Sequence, residues 1–401
     1  MSERHGRKPM IINRRQSLGA LGLGTAAMLA APAVLAQQPP STVTTPPRSF
    51  APDAPPNVYF TDPDLVSHDP GFGALIQANA PLQRLWTGSL WAEGPAWSAV
   101  GQYLVWSDIP NNRQMRWLQE DGHVSAMRAP SNNSNGNCFD RQGRQLSCEH
   151  LTRRVVRYEL DGTVSIVADQ FQGKALNSPN DVIQHPDGSV WFTDPPYGGQ
   201  LYEGAADAPG GPSNPEGLID PRVGQPPEIG QARREMGHGV YRVTEDGAIS
   251  RVIDEAQLQN PNGLCFSPGF DRLYVTSTGA GPGDTGGGGK GEIFVFDLDE
   301  EGAILNGRLF SDCMVDDIKC SPDGVCTDVF GNLWASSSAG HAVGYNGVTC
   351  WSPEGVLLGR IRLPEICGNL CFGGPKRNVL FMTASQSLYA LHLATQGVSF
   401  G

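Results

Sequence analysis

The chain has 401 residues, and its 50 glycines and 32 prolines speak for many turns and few long helices. An apolar fraction of 39% is enough for a core and argues against a disordered chain. A net charge of -12 disfavours nucleic acid, whose phosphates need a basic surface.

Residues 1–36 read as an export signal. Arg14 and Arg15 precede an apolar run from Leu18 to Leu35, and Ala36 ends it with a small residue at a plausible cleavage point. The run has signal-peptide length and is too weakly apolar for a membrane anchor. Asn13-Arg-Arg-Gln-Ser-Leu18 matches the twin-arginine pattern. The expectation is a periplasmic protein, exported folded and free of the membrane once the signal is removed. Residues 37–80 form a linker and N-terminal cover. Of these, 37–56 are rich in Pro, Thr, Gln and Ser, and 57–80 are expected to hold a short helix or irregular cover.

From 81 to 401 one pattern occurs six times: a lead residue, a short apolar run, a Gly-containing turn and a second apolar run. The lead residues are Glu93, Asn135, Asn180, Asn262, Asp323 and Gly368. The steps between them are 42, 45, 82, 61 and 45 residues. A period in the forties built from β-type segments is the signature of propeller blades. Further hairpins follow most of them, with tight-turn dipeptides at Asp121-Gly122, Asp161-Gly162 and Asp246-Gly247. Four strands in each of six units predict an all-β chain, a six-bladed β-propeller with a central metal-binding channel. The last unit lacks a fourth strand, and Gln83–Thr87 is placed to supply it and close the ring. The two long steps hold insertions, at about 195–238 and 279–291, expected to rise over the site as a lid.

If the ring closes, the lead side chains meet at its axis. Carboxylates and amides gathered there suit a hard cation such as calcium. The alternative is that Asn and Asp before Gly only start turns and cap strands. The second strand of each unit returns to the lead face, and its end carries Asp108, His150 and Asp194. His150 and Asp194 are therefore candidate substrate contacts, with Asn135 from the lead column.

The cysteines Cys138, Cys265, Cys326 and Cys371 occupy one slot, three residues after the lead position. They are read as small core residues in separate packing layers. No C-x-x-C or Cys/His spacing suggests zinc, and a disulfide among Cys148, Cys313, Cys320, Cys350 and Cys367 is left open. The run Gly281-x-Gly283-x-x-Gly286 fits a dinucleotide fingerprint in letters only, because the glycines after it cannot open a helix. No H-E-x-x-H occurs.

Glu93-Gly-Pro-Ala-Trp97, Asn177-Ser-Pro-Asn180-Asp181, Pro261-Asn262-Gly263, Pro322-Asp323-Gly324 and Asn369-Leu-Cys-Phe-Gly-Gly374 stand in order at blade spacing. Together, over about residues 82–395, they resemble the gluconolactonase / regucalcin (senescence-marker protein) / luciferin-regenerating enzyme family. The resemblance implies a six-bladed propeller and a lactone hydrolase acting on small molecules. It implies one divalent cation held by Glu93, Asn180, Asn262 and Asp323, with Asp323 as base or nucleophile. Calcium is favoured among cations that include zinc, magnesium and manganese. Where the animal branch has a sugar-acid-binding Arg, this chain has Ser178. A phosphotriesterase or arylesterase at the same site, and a non-catalytic calcium-stabilised binding propeller, are the competing readings.

Overall fold

A computed structural model describes residues 49–51, 53–54, 61–195, 197, 236–278 and 290–398. All belong to the second of two units, Pro39–Gly401. The predicted signal, most of the linker, nearly all of both insertions and the 281–286 glycine run lie outside the described residues.

Six antiparallel sheets form a six-bladed propeller. Blade 1 contains Ala92–Ser98, Tyr103–Asp108, Arg113–Leu118 and Val124–Arg128, from the inside outward. Blade 2 contains Ser134–Phe139, Gln145–Glu149, Arg154–Tyr158 and Val164–Ala168. Blade 3 contains Val182–Gln184, Val190–Asp194, Gly239–Val243 and Ile249–Asp254. Blade 4 contains Pro261–Phe266, Arg272–Ser277, Glu292–Leu298 and Ile304–Ser311. Blade 5 contains Val325–Thr327, Leu333–Ser337, Gly347–Trp351 and Leu357–Arg362. Blade 6 contains Cys367–Gly373, Val379–Ala384 and Ser387–His392. Its outer strand is Gln83–Thr87, pairing Gln83 with Ala390 and Thr87 with Ser387. The closure is the one expected from the sequence, and it removes the open ends that a sheet repeat would otherwise expose.

The 61–80 stretch holds the short helix expected there, and a strand besides. Leu65–Ser67 adds a fifth strand to the outer edge of blade 5, against Gly359–Ile361. The short helix Phe72–Leu75 buries Phe72 beside Trp334, with ring centroids 6.1 Å apart. The cores lie between blades. Trp97 of blade 1 stacks on Phe381 of blade 6 at 5.8 Å, and Trp191 of blade 3 meets Phe266 of blade 4 edge-on at 5.5 Å.

Glycine follows the lead residue in four blades for a reason other than turn formation. Gly94 has φ +52°, and a Cβ there would strike the Asn135 carbonyl of blade 2. A Cβ on Gly263 would strike the Asp323 carbonyl of blade 5. These glycines let neighbouring inner strands approach at the axis. They also expose amides that join the blades: Gly136 N donates to Asn180 O at 2.8 Å, Gly263 N to Asp323 O at 3.2 Å, and Gly324 N to Gly368 O at 2.8 Å. Side chains make the remaining links, with Ser107 Oγ donating to Asn135 O at 2.6 Å and Thr193 Oγ1 to Asn262 O at 2.7 Å. Each lead carbonyl from Asn135 to Gly368 is thus held by the blade before it. The lead residues stand in one stitched layer.

Candidate active site

The lead residues sit where strand pairing breaks. The ladder between first and second strands slips at Glu93–Ala96, Ser134–Asn137, Pro261–Leu264 and Cys367–Asn369. In blades 3 and 5 the inner strand begins beyond the lead residue, at Val182 and Val325. Such bulges re-aim side chains away from the regular pleat. Glu93, Asn135, Asn180 and Asn262 are all buried, and Asp323 is half-buried.

The chemistry of this layer is unfinished in the protein alone. The Oδ1 atoms of Asn135 and Asn262 are buried and have no hydrogen-bond partner. A buried amide oxygen left unpaired costs about 1–3 kcal/mol, so a ligand or cation that meets it recovers that penalty. Glu93 explains the odd glycine of the column. Gly368 has no side chain, and a Cβ there would collide with Glu93 Oε1; the longer acid fills the space. Glu93 Oε2 accepts the Gly94 amide at 2.8 Å. Asp323 is held through its backbone: its N–H donates to Ser336 Oγ at 2.9 Å, and its carbonyl accepts from Thr276 Oγ1 at 2.8 Å. The donor set is carboxylate and amide oxygen, with no sulfur or imidazole in the lead positions, which fits a hard divalent cation. Among the described residues, no group of three or more His, Cys, Asp and Glu side chains is arranged to bind a metal. Only two of the four proposed ligands are of those types.

The second-strand ends lie at the expected level but turn into the protein. Asp108, His150 and Asp194 are completely buried. Asp194 Oδ2 accepts the Asn177 amide at 2.8 Å and its Oδ1 the Ser178 amide at 2.9 Å, shaping the loop that delivers Asn180. Asp108 does the same in blade 1, accepting Leu90 N at 2.9 Å just ahead of Glu93, and it pairs with Arg113 at 2.9 Å. Burial drives the His150 pKa down to about 4, against the raising effect of the Pro179 carbonyl, so it is neutral at physiological pH.

Two residues not singled out as site candidates complete the layer. Blades 3 and 6 replace the glycine after the lead residue with Asp181 and Asn369. Asn369 Nδ2 donates to both carboxylate oxygens of Asp181 across the axis, each at 3.0 Å. Burial raises the Asp181 pKa to about 7, against the lowering effect of the Asn369 bond. The sequence signal was the break in the glycine column; its meaning requires knowing that blades 3 and 6 face each other.

Beneath this bridge lies an axial cavity of about 130 Å³. Its walls carry all four slot cysteines, and Trp97, Phe139, Phe266 and Phe372 stand deeper. The cysteines do pack against different interblade clusters. They are also neighbours around one shaft, because equivalent positions of the inner strands share the axis. This corrects the expectation of four separate environments. All nine cysteines are free thiols, so no disulfide is present.

The fold and the axial oxygen layer define the class: a six-bladed propeller with a polar site at one end of its axis. Residues 91–386 match the SMP-30/gluconolactonase/LRE-like region, and the chain belongs to that family of lactonase-like hydrolases. A gluconolactonase of Zymomonas mobilis subsp. mobilis is 28% identical over 355 residues, which is 83% of this chain and 87% of that one. The solved structure of a gluconolactonase from Xanthomonas campestris is 35% identical, with a TM-score of 0.65 over 82% of this chain and 94% of that one. A calcium-binding regucalcin from Agrobacterium tumefaciens, 18% identical, shares the fold with a TM-score of 0.57 over 78% of this chain and 94% of its own.

Proposed function

We propose that the protein is a metal-dependent lactonase, with Glu93, Asn180, Asn262 and Asp323 holding one divalent cation and calcium the favoured ion. Similarity to named gluconolactonases over more than four fifths of the chain carries this reading. The unpartnered Asn262 Oδ1 in an all-oxygen lead layer supports the cation site. From the N-terminal segment we also propose that it works in the periplasm.

When bound, the cation would polarise the lactone carbonyl and favour negative charge developing on its oxygen. Asp323 accepts a proton from the attacking water, or attacks the carbonyl carbon itself. The ring C–O bond then breaks and the departing oxygen takes up a proton; on the water route this gives the open-chain hydroxy acid directly, and on the nucleophile route a second water hydrolyses the acyl-aspartate to release the acid and free Asp323. Asn135 presents its free Oδ1 to the substrate. His150 and Asp194 act as positioning residues. Asp194 fixes the 177–180 loop through the Asn177 and Ser178 amides, and neutral His150 lies buried beside the Pro179 carbonyl.

Asp323→Asn is the direct test. Turnover of gluconolactone should fall by about a thousandfold or more, with the melting temperature within a few degrees of wild type. Full turnover in this variant would remove Asp323 from the chemistry. Collapse of folding with no activity in the wild type would favour a structural ion instead.

A further inference from the structure

The slot two residues before the lead position differs among blades in a way that bears on substrate choice. In blades 2 and 4 it holds Asn133 and Asn260, with φ 48° and 46°, a left-handed conformation that Asn tolerates better than most residues. Asn133 uses its side chain to tie blades together: Nδ2 donates to the Ile109 carbonyl at 2.8 Å. In blade 3 the slot is Ser178, whose Oγ donates to Pro195 O at 2.6 Å.

Asn260 makes no such bond. Its side chain is 1% exposed, and neither Oδ1 nor Nδ2 has a partner. The backbone around it is firmly held. Asn260 N donates to His238 Nδ1 at 3.0 Å, the Tyr197 hydroxyl lies 3.4 Å from the Asn260 carbonyl, and Ser277 Oγ donates to Gln259 O at 2.7 Å. Two residues on, Asn262 in the lead layer also has a free Oδ1. A buried amide with both its donor and its acceptor unmet, on a held backbone two residues before a lead residue, complements a group that itself donates and accepts. A hydroxyl is such a group.

We propose that Asn260 is a specificity-determining residue that binds a hydroxyl of a polyhydroxylated lactone, an aldonolactone rather than an unsubstituted ring. The inference rests on the lactonase reading for its substrate class. It places the recognition of the sugar on the blade 4 slot, because the blade 3 slot is closed by the Ser178–Pro195 bond. A site built to hydrogen-bond a substrate hydroxyl discriminates against analogues that lack it.

The test uses full-length mature protein with calcium supplied, as wild type and as Asn260→Ala. Binding of D-gluconate and of 5-hydroxypentanoate, which lacks the extra hydroxyls, is measured by calorimetry. Turnover is measured on D-glucono-δ-lactone and on δ-valerolactone. The expected result is about tenfold weaker gluconate binding and a matching rise in KM for gluconolactone, with both unsubstituted compounds unaffected. Asn260→Gln, which keeps the amide but displaces it, should lie between the two. Equal losses on both compound pairs would show a merely structural residue and overturn the proposal, as would unchanged gluconate binding. A wild type that binds gluconate but opens neither lactone would sink the lactonase reading while leaving the Asn260 comparison intact.

Discussion

The six inner strands build two layers of opposite character within three residues of each other. In the lead layer, Glu93, Asn135, Asn180, Asn262 and Asp323 bring oxygen atoms to the axis, and two amide oxygens remain unpaired. Three residues along, Cys138, Cys265, Cys326 and Cys371 line a shaft with an aromatic lower wall, and burial pushes every one of these thiols up. The strands, the ring and its pseudo-symmetry are the same, so the difference is one of side-chain chemistry and of what the backbone leaves unmet. The lead end of each strand, bulged in four blades and outside the ladder in blades 3 and 5, presents polar groups that are not all met within the protein. The regular part packs its side chains and leaves thiols too weakly acidic to serve as nucleophiles at neutral pH.

The boundary between the layers should give the largest effect on stability. Asp181 has a folded pKa of about 7 against 3.8 for an unperturbed carboxyl. Below 3.8 both states hold the proton, and above about 7 neither does. Between these values the unfolded chain loses its proton first, so native stability falls as pH rises. Asp181→Asn should remove that slope and gain up to about 4 kcal/mol over metal-free wild type by pH 7–8. The gain should vanish near pH 3.8, as read from urea unfolding in chelator. His150 has the opposite dependence, losing stability as pH falls from 6.5 towards about 4, but it is common to both proteins and cancels in the difference. A constant offset at every pH would contradict the buried-carboxylate account.

A smaller effect tests what supports the lead layer. Asp194→Ala leaves the Asn177 and Ser178 amides without their acceptor and should cost about 3 kcal/mol. A loss of lactone turnover with unchanged stability would instead make Asp194 a substrate contact. The smallest effect belongs to the thiol layer. Cys265→Ala should cost about 1 kcal/mol in stability and leave calcium affinity unchanged by calorimetry. A large drop in affinity would join the two layers into one site.

The fold was legible because its signals are local and repeated. Lead residue, turn and second strand recur within about fifteen residues, and Gln83–Thr87 is the spare strand that the incomplete sixth unit requires. What escaped depends on ring closure. Asp181 and Asn369 are 188 residues apart and become partners only because blades 3 and 6 oppose each other. The shared shaft of the slot cysteines follows from the same closure. Asp194 was placed at the correct level by topology, but topology does not say that backbone amides would take both its oxygens. Asn260 carries no motif; its unmet amide is visible only against the satisfied Asn133 in the equivalent slot.

The central claim is that the lead layer binds a cation and hydrolyses lactones. It is tested most directly on metal-stripped mature protein offered gluconolactone, a plain aliphatic lactone, an aryl ester and a phosphotriester. Each substrate is assayed without metal and with calcium, zinc, magnesium or manganese. The account predicts that lactone opening is lost on stripping and restored by an added divalent ion, calcium foremost. Undiminished activity without any ion, or no activity on any lactone with every ion, would contradict it.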